Sequence, residues 1–283
     1  MSVRYLITGA SGMLGRDLQH ALSGREVTAL TRADLDLTDP SAVMDAVAGF
    51  DVVLNAAAYT AVDDAETHEV DAYAVNALGV ENLAIAAQRT AARLVTISTD
   101  YVFKGDASEP YPEDTTRDPL NAYGRTKAAG ERLALAAHPE GTYVVRTAWL
   151  YGEHGPNFAT TMLRLAATHD TVSVVDDQRG QPTWTADLAA QIVSLVDADA
   201  PAGIYHGTAS GETTWFGFAR AVFELAGLDV DRVLPTTSRD FPRPAARPAY
   251  SVLGHDAWGR VGLPPLRDWR TALADAFDRK VFE

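Results

Sequence analysis

An α/β fold built on a doubly wound parallel sheet, with a smaller C-terminal α/β part, is predicted by three features of the chain. Short apolar strands alternate with helical segments between residue 3 and about residue 147, the pattern of a parallel sheet covered by helices on both faces. A glycine run, Gly9-Ala10-Ser11-Gly12-Met13-Leu14-Gly15, sits where the first strand passes into the first helix. Polar residues gather at the end of the fourth strand, Ser98-Thr99-Asp100, the edge at which open parallel sheets bind ligands.

Taken in order, Val3 to Thr8 reads as a strand and the glycine run as the start of a helix reaching about Leu22. Glycines at intervals of three let the backbone turn tightly and approach a pyrophosphate, with the helix N-terminus facing its charge. Gly9, Ser11, Gly12, Met13 and Leu14 are therefore expected to bind a dinucleotide. Glu26 to Thr31 is the second strand, and no carboxylate follows it until Asp34. An acidic residue there would select NAD, whereas Arg32 can hold a 2′-phosphate and so favours NADPH. A solvated loop arginine is the alternative, and NADH stays open as an accepted cofactor. Asp39 is a plausible N-cap for a helix over residues 40–48. Asp51 to Asn55 is the third strand, and the small side chains Ala56-Ala57-Ala58 after it leave room for a cofactor or for tight packing. One long helix is expected from Glu69 to Thr90, with Asn76 tying it to sheet backbone. Arg93 to Ser98 and Thr142 to Thr147 supply the next two strands.

Between those last strands lies Tyr123-Gly124-Arg125-Thr126-Lys127, with a helix expected to start at Asp118-Pro119. Tyr123 and Lys127 then lie about one turn apart on one helix face. A phenol with a pKa near roughly 10 is a weak acid–base catalyst at neutral pH. A fixed ammonium beside it would favour the phenolate and draw that value down. The chain holds only three lysines against 21 arginines, which marks Lys127 as a chosen residue, because arginine cannot supply a compact ammonium.

A net charge of −14 on 283 residues argues against nucleic acid or an anionic membrane as partner. The same field means that any phosphate ligand must be held by local arginines and helix N-termini. The absence of cysteine excludes disulfides and thiolate metal sites. The seven histidines are scattered and form no ligand cluster. No signal-peptide pattern and no apolar run near the roughly 20 residues of a membrane span occur, so a cytoplasmic protein is expected.

The motifs Thr8 to Gly15, Ser98 to Phe103, Tyr123 to Lys127 and Arg146-Thr147-Ala148-Trp149-Leu150-Tyr151-Gly152, in this order and spacing, resemble those of the extended short-chain dehydrogenases/reductases. The resemblance spans essentially the whole chain, including residues 177–183 and 247–251. It implies a Rossmann-type dinucleotide-binding domain over residues 1–152. Residues 153–283 would mainly bind the substrate, with segments returning to the first domain. It also implies a catalytic set of Thr99, Tyr123 and Lys127. Tyr123 would protonate a ketone reduced by NADPH, Lys127 would hold the nicotinamide ribose, and Thr99 would hydrogen-bond the carbonyl oxygen. Asp36 and Leu37 would flank the adenine, with Ala56 and Ala57 against the cofactor.

The substrate implied is a nucleotide sugar, the C4 ketone of a dTDP-4-dehydro-6-deoxy hexose, the L-mannose configuration first among them. Thr60, Asp100, Trp149, Asn157 and Gln181 would line its site, and Arg247 would meet its diphosphate. Dehydratases of the superfamily carry Thr-Asp-Glu at the end of strand four, but here Tyr101 follows Thr99-Asp100, so reduction is expected and elimination is not. Some members pair subunits through a divalent metal. Asp17 stands without a carboxylate cluster in this sequence, so no metal ligand is assigned, and a monomer or a homodimer is equally compatible. Two other functions share these motifs: reduction of a different dTDP-4-keto-6-deoxy sugar in secondary metabolism, and a non-catalytic NADP-binding regulatory subunit.

Overall fold

A computed structural model describes residues 2–283. Its centre is a six-stranded sheet, every neighbouring pair of which is parallel. The strands are β1 (Arg4–Thr8), β2 (Glu26–Leu30), β3 (Val52–Asn55), β4 (Arg93–Thr99), β5 (Thr142–Thr147) and an edge strand, Gly203–His206, in the order β2-β1-β3-β4-β5-edge. β3 and β5 are buried along their full length, as expected of strands covered on both faces. The order reverses between β1 and β3, which is where a doubly wound sheet opens a crevice at its carboxyl edge.

One face of the sheet is covered by helix α1 (Met13–Ala21) and a later helix, Thr185–Asp197, through Leu14, Leu18, Leu188, Ile192 and Leu195. The other face meets α2 (Pro40–Val47) and the helices of residues 69–90 and 122–137, with Val43, Val47, Leu83, Ala87 and Ala134 inside. The edge strand and the Thr185–Asp197 helix both come from beyond residue 152. A separate aromatic core, including Tyr151, Trp184, Phe218, Phe223 and Trp269, holds the remaining C-terminal elements.

Two helices differ from the expected ones, and each difference has a local cause. Asp39 caps α2 as expected, accepting from the amides of Ser41 and Ala42. The segment after residue 68, expected as one helix, runs as α3 (Glu69–Tyr73), a π-helical turn at Ala74–Leu78, and α4 (Gly79–Thr90). The wide turn carries Asn76, whose carboxamide binds both backbone groups of Tyr59 and donates to Thr126 Oγ1 at 3.1 Å. Asn76 thus ties the helix to the loop after β3 and to the next helix, not to the sheet. That next helix, α5 (Ala122–Ala137), begins three residues later than Pro119. Asp118 is still held in the incoming loop by Val102, and the carboxamide of Asn121 caps the helix by accepting from the Gly124 amide at 2.8 Å.

Candidate active site

A cleft of about 1720 Å³ runs along the carboxyl ends of the strands. This exceeds the roughly 300–1,000 Å³ usual for one small ligand, so it has room for two.

At one end lies the glycine loop. Gly9 adopts φ +72°, and a Cβ there would fall 2.5 Å from the Ala57 amide nitrogen, so the loop and the Ala56-Ala57-Ala58 segment are packed backbone to backbone. A Cβ on Gly15 would lie 2.2 Å from the Gly9 carbonyl oxygen, which is why helix α1 can start so close to the turn. Gly9, Ser11, Gly12, Met13, Leu14, Arg32, Asp36, Leu37, Ala56 and Ala57 all line the cleft, with Arg16 beside them. Arg32 is exposed at its margin. Asp34, the first carboxylate after β2, is turned inward on its own loop, accepting from the amide and hydroxyl of Thr31 at 2.9 and 2.7 Å. Asp36 likewise accepts from the amide and hydroxyl of Thr38, and these bonds, with the Arg32 charge, hold its carboxyl below the ordinary range.

The middle of the cleft brings Thr99, Asp100, Tyr123 and Lys127 together. Below it, Asn55 accepts from Thr8 Oγ1 at 2.8 Å and donates to Thr96 Oγ1 at 3.0 Å, bracing β1, β3 and β4 through buried side chains. Thr99 Oγ1 donates to Asp100 Oδ1 at 2.9 Å and accepts from the Tyr101 amide at 3.2 Å. The other Asp100 carboxyl oxygen is buried and accepts no hydrogen bond. Burial pushes the Asp100 carboxyl up to about 6, with the Ser251 and Thr99 hydroxyls opposing. Burial, and after it the Asp100 charge, push the Tyr123 phenol up, with the Thr99 hydroxyl opposing. The ring of Tyr101 meets that of Tyr123 edge-on, 6.0 Å between centroids.

Lys127 is buried and donates to the Ile97 carbonyl at 2.6 Å. Burial brings its ammonium down to about 8, and the Glu131 carboxylate opposes that fall. The expectation that Lys127 draws the Tyr123 pKa down is therefore corrected. The groups acting on the phenol are its own burial, Asp100 and Thr99, and their net effect is upward.

At the far end Trp149 and Trp215 stack, 3.6 Å between centroids and 11° between planes, and both line the cleft. Trp149 adopts φ +47°. Thr60 is exposed on the cleft wall. The cleft thus gathers Thr60, Asp100 and Trp149, but three other residues expected on the sugar side are engaged elsewhere. Asn157 caps the following helix, Phe158–Ala166, and donates to the Gly152 and Gly155 carbonyls. The Gln181 carboxamide is spent on the two backbone groups of Leu253. Arg247 pairs with Asp63 at 2.9 Å and donates to the Ala245 carbonyl. Arg16, Trp215 and Asn55 are the members that motif reading missed. Trp215 had no local signal, whereas Arg16 sits one residue past the glycine run and could have been read from it.

Among the described residues no three His, Asp or Glu side chains are grouped to hold a metal ion. Asp17 packs against Thr185 on the helix face, and burial raises its carboxyl. No described helix is long and apolar enough to cross a membrane.

With this geometry in place, the chain was compared with known proteins. The family model described as RmlD substrate binding domain matches residues 3–282. A dTDP-4-dehydrorhamnose reductase of Streptomyces griseus is 54% identical over 282 residues, covering 97% of this chain and 93% of that protein. A dTDP-4-keto-6-deoxy-D-glucose reductase of Streptomyces niveus is 50% identical over 281 residues, covering 98% and 97%. Among solved structures, a dTDP-4-dehydrorhamnose reductase of Bacillus anthracis in complex with NADP superposes with a TM-score of 0.94 at 39% identity, covering 99% of this chain and 100% of that one. The match over nearly the full length, on a parallel sheet with the glycine loop and the Thr99, Tyr123 and Lys127 set at its carboxyl edge, shows that the chain belongs to the RmlD substrate-binding-domain family.

Proposed function

We propose that this chain reduces the C4 ketone of dTDP-4-dehydrorhamnose to dTDP-L-rhamnose with NADPH. The observation that carries the reading is one cleft, large enough for two ligands, in which Thr99, Tyr123 and Lys127 meet between a phosphate-binding glycine loop and an aromatic wall. The glycine loop fits a dinucleotide, because Gly9 and Gly15 leave the backbone where any side chain would intrude. Arg32 and Arg16 suit the phosphates in a chain otherwise strongly anionic. Asp34, bound to Thr31, does not compete for a ribose hydroxyl, which supports NADPH over NADH. Residues 1–152 then serve the dinucleotide and residues 153–283 mainly the sugar, with Trp149, Thr60 and Asp100 on the sugar side.

NADPH, when bound, supplies the hydride. Tyr123 supplies the proton to the oxygen that gains charge. Its raised pKa keeps the phenol protonated until that charge develops. Thr99, its hydroxyl held between Asp100 and the Tyr101 amide, is the hydrogen-bond donor for the same oxygen. Lys127 holds the nicotinamide ribose and places a positive charge beneath the reacting groups. Tyr101 stands where dehydratases carry a second carboxyl, so water is not eliminated.

A coupled assay tests the reading. NADPH should be oxidised one for one with dTDP-6-deoxy-L-lyxo-4-hexulose prepared in situ, and dTDP-glucose should yield no 4-keto product. NADPH binding with no turnover on any 4-keto sugar would make the chain a regulatory binder. Preferential turnover of dTDP-4-keto-6-deoxy-D-glucose would assign it the activity named for the Streptomyces niveus relative.

A further inference from the structure

Glu131 lies on α5 four residues past Lys127 and eight past Tyr123, on the same helix face, and is buried. One of its oxygens accepts from Ser98 Oγ at 2.5 Å and from Arg146 Nε at 2.9 Å. The other accepts from Arg146 Nη2 at 2.8 Å and from Arg117 Nε at 2.5 Å. Ser98 immediately precedes Thr99 on β4. Arg146 comes from β5 and is fully buried. It also donates to the Glu113 carbonyl, and its guanidinium lies 4.9 Å from the centroid of the Phe103 ring.

Such a buried ionic cluster is weak as a source of stability, because desolvating the charges offsets most of their attraction. Apolar side chains could fill the same volume. What the cluster does have is position. Ser98, Lys127 and Glu131 border one small pocket beneath the cleft, together with Asn76 of the π-helical turn. We infer that Glu131 is a positioning residue for the catalytic set, holding the end of β4 through Ser98 and supplying the counter-charge for the Lys127 ammonium.

The charges facing this pair come from each packed element. β4 contributes Asp100, the incoming loop contributes Arg117, and β5 contributes Arg146. His206 of the edge strand faces Arg146 at 3.2 Å and binds the Gly254 carbonyl. Burial and the Arg146 charge bring His206 down to about 3, so it stays neutral. The π-helical turn and α4 bring only Asn76 and Val80 to the pocket. Burial alone would raise Glu131, but Arg146, then Arg117 and Ser98, hold its carboxyl below the ordinary range, so it is ionised at neutral pH. Its charge opposes the desolvation of Lys127.

The proposal rests on the reductase reading, and its test separates the two. In Glu131→Gln the alkaline limb of the kcat/KM profile should move down by about one pH unit, the scale of a neighbouring charge in a partly desolvated site. Turnover should fall more than apparent affinity for NADPH. Glu131→Asp, which keeps the charge, should return the limb to the parent position even where turnover remains reduced. Arg117→Met, at a half-buried position, removes a positive charge from the cluster and should move the limb upward; it provides the same test if Glu131→Gln does not fold. Labelling by an amine-reactive reagent, followed by mass spectrometry across pH, should show the same shifts at Lys127, one of only three lysines. An unmoved limb and unmoved labelling in Glu131→Gln, equal shifts in Gln and Asp variants, or no upward shift in Arg117→Met would overturn the inference. A parent protein without any reductase activity would instead remove the functional reading, and Lys127 labelling would still decide the role of Glu131.

Discussion

The Lys127 ammonium donates to the Ile97 carbonyl at 2.6 Å, while Tyr123, one turn earlier on α5, is governed by its own burial, Asp100 and Thr99. The pair is therefore two devices on one helix face: a phenol kept protonated and a buried cation anchored to the strand that carries Thr99. Tyr123→Phe should lower turnover by roughly a hundredfold or more, the scale of a lost general acid, with NADPH affinity little changed. Lys127→Met should reduce both. Steady-state kinetics paired with fluorescence titration of NADPH decide this, and near-full turnover in Tyr123→Phe would remove the mechanism.

Asp100 carries a pH signature. Its carboxyl sits at about 6 in the fold, against an ordinary 3.8. Between these values the folded protein binds more protons than the unfolded chain, so stability falls as pH rises through that window. Two units correspond to a cost on the order of 3 kcal/mol above pH 6 that is absent near pH 4. Asp100→Asn should therefore gain stability relative to the parent between pH 4 and pH 7. Melting temperatures of both proteins across that range check the sign. A constant difference would mean that Asp100 titrates normally. In the assay, lost sugar affinity with turnover retained assigns Asp100 to binding, and the reverse assigns it to proton transfer.

Cofactor choice turns on Arg32. With Asp34 bound to Thr31, the exposed Arg32 guanidinium is the group available to a 2′-phosphate at the margin of the cleft. Arg32→Ala should lower kcat/KM for NADPH by roughly ten- to a hundredfold, the scale of one charge-assisted hydrogen bond, and leave NADH unaffected. Equal efficiency with both cofactors in the parent would remove this role.

Gly130 tests the packing that carries the site. A Cβ there would fall 2.0 Å from the Asn76 carbonyl oxygen, in the backbone of the π-helical turn. That oxygen is main chain and cannot swing aside. Gly130→Ala should destabilise the protein by about 1–3 kcal/mol, as overpacked interiors do. It should also lower turnover, since the shift would pass along α5 to Tyr123 and Lys127. Urea unfolding followed by assay of the folded variant measures both, and an unaltered midpoint would show that the helices separate freely.

What the sequence by itself determined about this protein is what local spacing encodes. The alternation of apolar strands and helices, glycines three apart at a strand–helix junction, and a tyrosine and lysine one turn apart specify the sheet, the phosphate loop and the shared helix face, because each depends on neighbours within a few residues. Partners across the fold are a different matter. Gln181 reads like a sugar ligand until Leu253, 72 residues on, takes both ends of its amide. Arg247 reads like a diphosphate ligand until Asp63 pairs with it, and Asn157 until its helix needs a cap. Only the tertiary structure decided that Asp100 presses on Tyr123 and that Glu131 stands under Lys127. A polar side chain goes to whichever donor, acceptor or charge the folded backbone brings within about 3 Å, and burial then sets its protonation. Neither quantity has a period in the chain.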